Sequence, residues 1–333
     1  MGSAAAVLEE ADQEATADPA AALPLAIGAV RATRAAGISC LESRALAVLA
    51  WILFRIGRTR GSKAVFTAAA ASGCSCCQPT IERRRAHLLL SCGQTQAAVE
   101  VARSALEMSQ RNARGEVALC RQAYGVMLYY ANDISGSTRE LSAVVETLPV
   151  EAPFYHIVIQ NLCTTLAASD DVVDLQYAVE KLQAIPDRIV GKKRLTQQRA
   201  KIAWTTGQAL AKLSVLDEEL SPVERRTMLK EAARQLRTAV DGLKILQLPL
   251  EIAACQTDLA AVLARVDPLE VAGALNFELS PLTPEIAKAC QDARKAATAV
   301  FSPEAIIALW AAVRSLRELT VAAGAPAPVL IYA

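Results

Sequence analysis

Apolar side chains recur every three or four residues along most of this chain, with polar side chains between them. Clear stretches run from Ala45 to Phe54 and from Leu229 to Leu243. A period near 3.6 residues is typical of amphipathic α-helices, whereas β-strands alternate with a period of two. Glycine, proline and Asn-Asp breakers cut the pattern into pieces of about 12–20 residues. We therefore predict an all-α protein, in which short turns join the helices into antiparallel hairpins.

The hairpins repeat, and a residue that can adopt a left-handed conformation marks the turn in each copy. Around Gly57, a small residue lies seven positions before the turn and another lies five positions after it. The same offsets hold around Gly93, which follows 36 residues later, and around Asn132, which follows after another 39. A fourth copy, around Asp170, contains a short insertion. The offsets select Ala50, Leu53, Ser62, Phe66 and Ala69, then Ala86, Leu89, Ala98, Ala102 and Ala105, then Gly125, Leu128, Ser137, Leu141 and Val144, and finally Cys163, Leu166, Ala178 and Leu182.

Small residues midway along both helices let the two backbones approach, and larger side chains fill the space beside them. In this pattern the first helix carries a small and then a large residue, a turn residue follows, and the second helix carries small, large and small positions. The pattern resembles the tetratricopeptide repeat (TPR) family. The resemblance covers about residues 40–186. It implies a right-handed α-solenoid of stacked helix hairpins, and a non-repeating helical bundle is the alternative architecture.

The change in helix length divides the chain into four parts. We assign a polar N-terminal segment to residues 1–18 and the TPR-like repeats to 19–186. We assign longer hairpins and a C-terminal cap to residues 187–323, and an extended tail to residues 324–333. Atypical helices at the end of a solenoid are expected, because one face of the last repeat must be covered.

Composition and charge narrow the possible partners. Of the 333 residues, 53% are apolar and 21% are charged, which excludes an intrinsically disordered chain. The net charge of +1 argues against nucleic-acid binding driven by phosphate contacts, although local basic runs such as Arg83–Arg85 exist. No apolar run reaches the ~20 residues of a membrane helix. We therefore expect no membrane association and a cytoplasmic location, while the oligomeric state stays open.

Three of the nine cysteines fall within four residues, at Cys74, Cys76 and Cys77. Clustered thiolates bind zinc and other thiophilic metals. Structural zinc sites usually combine two well-separated groups of ligands, and this segment supplies only one. A tight turn between two hairpins explains small residues here equally well. We interpret the segment as a turn, and a metal site or a redox-reactive cluster is the alternative.

Candidate catalytic residues are sparse. The chain has two histidines, His87 and His156, and their spacing from other reactive side chains predicts no triad. The run from Gly57 to Lys63 is one residue short of a phosphate-binding loop, and no strand precedes it. We therefore predict a protein that is not an enzyme and needs no cofactor.

In the TPR family, the first helix of each repeat lines a concave groove that binds the partner. The resemblance implies such a face here, and it is rich in the aromatic and arginine side chains that dominate binding interfaces. Packing of Trp51 and Phe54 in the core is the alternative. The predicted groove residues are Arg44, Trp51, Phe54, Arg55, Arg83, His87, Gln122, Tyr129, Tyr130 and Gln160.

We predict a non-enzymatic scaffold that binds a protein or peptide in this groove and acts as an adaptor or regulatory subunit. One alternative is a signal-sensing regulator that binds a small ligand or a signal peptide. The other is a metal- or redox-responsive protein that uses the clustered cysteines. The sequence does not identify the partner.

Overall fold

A computed structural model describes residues 2–17, 19–71, 75–152, 154–185, 192–245, 249–266, 274–275, 284–298, 312 and 315. Of the residues that the structure describes, 87% are helical and none lies in a β-strand. This confirms the all-α prediction. The described helices are α1 (Gly2–Ala17), α2 (Pro19–Ala35), α3 (Ser39–Arg55), α4 (Thr59–Ala71), α5 (Gln78–Ser91), α6 (Thr95–Asn112), α7 (Val117–Tyr130), α8 (Ile134–Thr147), α9 (Tyr155–Ala168), α10 (Val172–Gln183), α11 (Lys192–Leu216), α12 (Pro222–Ile245), α13 (Pro249–Val266) and α14 (Pro284–Thr298), and a 3₁₀ turn lies at Arg114–Glu116.

The chain forms two compact units, Met1–Val158 (unit 1) and Ile159–Ile331 (unit 2). The polar segment predicted for residues 1–18 is helical over α1, and its Leu8, Ala11 and Ala15 side chains are buried in unit 1. The extended tail predicted for residues 324–333 lies outside the described residues.

Unit 1 contains four helix hairpins in sequence order. The paired helices are α1 with α2, α3 with α4, α5 with α6, and α7 with α8. Between hairpins, α2 packs against α3, α4 against α5 and α6 against α7. The first helices are also in contact, α1 with α3, α3 with α5 and α5 with α7. The first helices therefore share one side of this unit.

The predicted turn residues of three hairpins adopt the left-handed conformation. Gly57, Gly93 and Asn132 have φ values of +78°, +73° and +63°. At Gly57, the backbone N–H donates to the carbonyl of Phe54 (2.9 Å), and the next N–H, of Arg58, donates to the carbonyl of Leu53 (2.8 Å). Equivalent pairs of hydrogen bonds close the turns at Gly93 and Asn132. This arrangement satisfies carbonyls at the helix end, and it confirms the three turns.

The fourth predicted copy is closed differently. Asp171 caps α10, because its carboxylate accepts hydrogen bonds from the N–H groups of Val173 (2.8 Å) and Asp174 (3.1 Å). Such caps stabilise a helix start by typically about 1 kcal/mol. The turn between α9 and α10 thus depends on a side chain rather than on a left-handed residue at Asp170.

The small residues selected by the repeat pattern lie where neighbouring helices meet. Ala50 and Ser62 are fully buried, and the Ser62 hydroxyl donates to the Ala50 carbonyl across the α3–α4 interface (2.7 Å). Phe66 fills the space beside them with 1% of its surface exposed. Close approach of the two backbones is therefore what these small positions provide.

The core of unit 2 is centred on the long hairpin of α11 and α12, which contain 25 and 24 residues. Gly207 on α11 lets the helices meet, since an added Cβ would stand 2.7 Å from Leu236 Cγ. The buried indole of Trp204 donates to Asp258 Oδ2 on α13 (2.8 Å), and the Gln208 amide donates to the same oxygen (2.6 Å). These bonds satisfy a largely buried carboxylate inside the helical core.

Candidate functional site

A cleft of about 560 Å³ lies in unit 1. We call it the first-helix cleft, because the residues that line it lie on first helices or in the short segments that lead into them. It combines charged side chains, three thiols and a few apolar side chains. Its lining residues are Glu9 and Asp12 from α1, Cys40, Leu41, Arg44 and Ala47 from α3, Cys76, Cys77, Thr80, Ile81, Arg83 and Arg84 in or just before α5, and Glu116 and Leu119 in or just before α7.

Two buried arginines form the inner part of the first-helix cleft. Arg83 and Arg84 are 4% and 8% exposed. Arg84 Nη2 donates to Asp12 Oδ1 on α1 (2.5 Å), and Arg83 Nη2 lies 3.7 Å from Glu116 Oε2. Each buried guanidinium is therefore compensated by a carboxylate from another first-helix segment, as a buried charge requires.

Not all donors of these two arginines are used. Burial lowers the pKa of Arg83 from its ordinary value, and the neighbouring positive charge of Arg84 lowers it further. Arg83 Nε and Arg84 Nη1 donate no hydrogen bond to any described residue. Buried cationic donors are costly to leave unpaired and form strong hydrogen bonds with carboxylates. Both nitrogens are themselves buried, so a ligand could reach them only if neighbouring side chains moved.

The third arginine of the cleft is accessible. The Arg44 side chain is 45% exposed, and its Nη2 lies 3.8 Å from Glu9 Oε2 on α1. Exposed ion pairs of this kind contribute only about 0–1 kcal/mol. Arg44 can therefore exchange Glu9 for another anion at little cost.

Three thiols line the same cleft. The Sγ atom of Cys40 lies 3.1 Å from that of Cys76 and 3.4 Å from that of Cys77, and the last two sulfurs are 3.7 Å apart. All three distances exceed the ~2.05 Å of a disulfide. We call Cys40, Cys76 and Cys77 the thiol cluster. Of the predicted candidates, Cys74 lies outside the described residues.

Cys40 is not among the residues predicted for the cysteine cluster, although the repeat spacing points to it. Cys40 and Cys76 are 36 residues apart, which is also the spacing of the turn glycines Gly57 and Gly93. They thus occupy equivalent positions in successive repeats, and stacking of α3 beside α5 brings them together. The expectation that clustered thiols come from the segment around Cys76 alone is wrong, because the thiol of Cys40 on α3 lies beside them.

A second group of predicted residues surrounds Trp51. The Trp51 ring lies 5.3 Å from that of Phe54 and 5.8 Å from that of His87, and the Arg55 guanidinium stands 6.0 Å from the Trp51 ring centre. Trp51 is 3% exposed and His87 is 1% exposed. Burial, together with the charges of Arg83 and Arg84, lowers the pKa of His87 to about 3. The imidazole is therefore neutral at physiological pH and packs as part of an aromatic group.

The remaining predicted residues lie elsewhere. Tyr129 and Tyr130 form an edge-to-face pair on α7 with ring centres 5.4 Å apart. Gln122, also on α7, is buried, and its side-chain amide makes no hydrogen bond with a described residue. Gln160 is buried in unit 2. Of the ten predicted groove residues, Arg44 and Arg83 thus line the first-helix cleft.

Comparison with known proteins gives no family for this chain. A scan of protein-family models finds no match, and a search of the curated proteins finds no significant match. Among the described helices, none is both long enough and apolar enough to cross a bilayer.

Proposed function

We propose that this chain is a TPR-like, right-handed helical-repeat protein that binds a protein or peptide partner in the first-helix cleft. It serves as an adaptor or regulatory subunit and not as an enzyme. The observation that carries this proposal is the origin of the lining residues, which come from α1, α3, α5 and α7 or the segments before them. Successive first helices form a continuous binding surface in stacked helical repeats.

The charges of the cleft favour a partner with a carboxylate. Arg44 is exposed, and the buried Arg83 and Arg84 keep donors that no described residue accepts. A bound carboxylate would accept charge-assisted hydrogen bonds from the exposed Arg44 guanidinium.

Selection from a random peptide display library tests the proposal, with fluorescence anisotropy on the selected peptides to measure affinity. We expect acidic peptides to be enriched. The Arg44→Ala variant should bind them about tenfold more weakly, the loss typical of one well-placed interface side chain. The Arg103→Ala variant is a matched control, because Arg103 is exposed on α6 and outside the cleft. No enrichment, or equal losses in both variants, would contradict the proposal.

A signal-sensing regulator is the second candidate, and the size of the cleft supports it. A volume of about 560 Å³ falls within the roughly 300–1,000 Å³ of small-molecule sites. A panel of small carboxylic acids and phosphate esters tests it through thermal unfolding of the chain without peptide. A rise in Tm that the Arg44→Ala variant loses would favour this function over peptide binding.

A further inference from the structure

The thiol cluster has nearly the dimensions of a metal site. In a tetrahedral site with Zn–S bonds of about 2.3 Å, the sulfur atoms stand about 3.8 Å apart. The Cys76 and Cys77 sulfurs are already 3.7 Å apart, and those of Cys40 and Cys77 are 3.4 Å apart. The Cys40 and Cys76 sulfurs are 3.1 Å apart and must separate by a further ~0.7 Å for the cluster to reach the size that a zinc ion needs.

The three thiols are positioned by two neighbouring helices, α3 and α5. Cys40 lies in the first turn of α3, and Cys77 occupies the N-cap position of α5 without a capping hydrogen bond from its side chain. The two helices contact each other, and Cys77 Sγ also lies 3.5 Å from the Cys40 carbonyl oxygen. Helix starts carry partial positive charge, which stabilises negatively charged thiolates there. The ligand set is thus preorganised by helix stacking.

Ligand chemistry restricts the metal. Sulfur ligands select Zn²⁺, Cu⁺ and related thiophilic ions, whereas Mg²⁺ and Ca²⁺ take oxygen ligands. Three thiolates and a divalent ion carry a net charge of −1, and Arg44 lines the same cleft with a positive charge. Zinc with three protein ligands keeps its fourth position for water or for an incoming ligand.

We propose that Cys40, Cys76 and Cys77 bind Zn²⁺ as three thiolates, with a water-filled fourth position that opens into the first-helix cleft. Binding releases the thiol protons and involves no change of oxidation state. The site does not depend on the proposed peptide binding, although a peptide in the cleft would lie next to the metal. Cys76 is exposed and Cys40 is half-buried, so an ion can enter from solvent.

Cobalt substitution tests the site in the full chain. The reduced protein is stripped of metal with a chelator and titrated with Co²⁺, and the sulfur-to-cobalt charge-transfer and visible d–d absorption bands are followed. We expect one Co²⁺ per chain with tetrahedral bands, which Zn²⁺ then displaces. Competition with a chromophoric chelator gives the Zn²⁺ affinity.

Variants assign the ligands. Changes around a metal site that leave its ligands in place commonly weaken binding 10–100-fold, so Cys40→Ser and Cys76→Ser should each weaken Zn²⁺ binding at least tenfold. Cys92→Ser is the matched control, because Cys92 is exposed at the end of α5 and outside the cluster. It should retain the affinity of the wild type. Circular dichroism confirms folding, and of the two ligand variants Cys76→Ser is less disruptive to packing because Cys76 is exposed.

Several results would overturn the proposal. These are no cobalt bands in the reduced wild type, Zn²⁺ affinity unchanged by Cys40→Ser, or cobalt bands that Zn²⁺ does not displace. Peptide binding measured with and without the chelator keeps the two proposals apart. Loss of acidic-peptide binding alone counts against the proposed function, and loss of zinc binding alone counts against the metal site.

Discussion

Gly125 on α7 lies so close to Leu141 on α8 that a Cβ added to Gly125 would stand 2.8 Å from Leu141 Cγ. The Leu141 side chain is fully buried at this contact. In the sequence pattern, Gly125 is the small residue before the third turn, and Leu141 is the large residue after it. The small position therefore marks the point where the two helices of this hairpin approach most tightly.

Replacing Gly125 with alanine should lower the free energy of unfolding. The added methyl group must displace Leu141 in a packed core, which typically costs about 1–3 kcal/mol. Urea unfolding followed by circular dichroism measures the change. Gly28→Ala is the matched control, because Gly28 lies inside α2 and a Cβ there meets nothing within 4 Å. It should be neutral or stabilising by up to about 1 kcal/mol, and equal losses in both variants would contradict the packing argument.

The left-handed conformation of Asn132 should make the stability of the protein sensitive to substitution at this position. Its φ of +63° is unfavourable for residues with a Cβ, and asparagine tolerates it better than alanine does. Asn132→Gly should therefore be neutral or stabilise the protein, whereas Asn132→Ala should lower the free energy of unfolding by about 1 kcal/mol. Asn112 ends α6, is exposed and has no positive φ, so Asn112→Ala should have little effect in the same urea experiment. A destabilising Asn132→Gly would count against this account.

The buried His87 makes stability depend on pH. Its pKa falls from 6.5 in the unfolded chain to about 3 in the folded one, mainly through burial and further through Arg83 and Arg84. Below pH 6.5 the unfolded state takes up a proton that the folded state does not. The free energy of unfolding should therefore decrease as the pH falls from 6.5 toward 3, by up to about 1.4 kcal/mol per pH unit. Above pH 6.5 this residue adds no pH dependence.

Urea unfolding of the wild type and His87→Gln between pH 8 and pH 5 measures this effect. The variant should lose stability at every pH because it repacks a buried site, but its free energy of unfolding should fall less steeply below pH 6.5. His156→Gln removes the other histidine, which is half-buried, and is the comparison variant: the slope should change more in His87→Gln than in His156→Gln. If His87→Gln shows the wild-type slope as well, His87 does not titrate as described.

Local pattern predicted the hairpins of this protein well, because the determinants are close in sequence. Gly57 and Gly93 terminate helices within their own turns, and Ala50 meets Ser62 only 12 residues later. Steric fit at such positions needs no knowledge of the rest of the chain. The same offsets located turns and buried positions in three hairpins without a relative to guide them.

The composition of the cleft was less predictable, because it depends on contacts between distant segments. Arg84 pairs with Asp12, which lies 72 residues away in a segment expected to be polar. Trp51 was expected on a binding face, yet its ring is almost completely buried beside His87. Which side chains are buried and which line the cleft depends on how the first helices stack on one another. Cys40 is the exception, because the 36-residue spacing to Cys76 was visible in the sequence.

The ion pair between Asp12 and Arg84 supports the last prediction. Removing the carboxylate leaves a largely buried guanidinium without its partner, and such losses cost up to about 3–5 kcal/mol in a fully buried pair. The Asp12 side chain is 27% exposed, so we expect Asp12→Ala to lower the free energy of unfolding by about 2 kcal/mol.

Glu9→Ala on the same helix is the control. Glu9 is 63% exposed and pairs with the exposed Arg44, so its loss should cost less than about 1 kcal/mol. Adding acetate or a short acidic peptide should restore part of the stability of Asp12→Ala, since an external carboxylate can then reach Arg84 through the cleft. Equal decreases in the free energy of unfolding for Asp12→Ala and Glu9→Ala would show that the apolar face of α1, and not the Asp12–Arg84 ion pair, attaches this helix to the rest of unit 1.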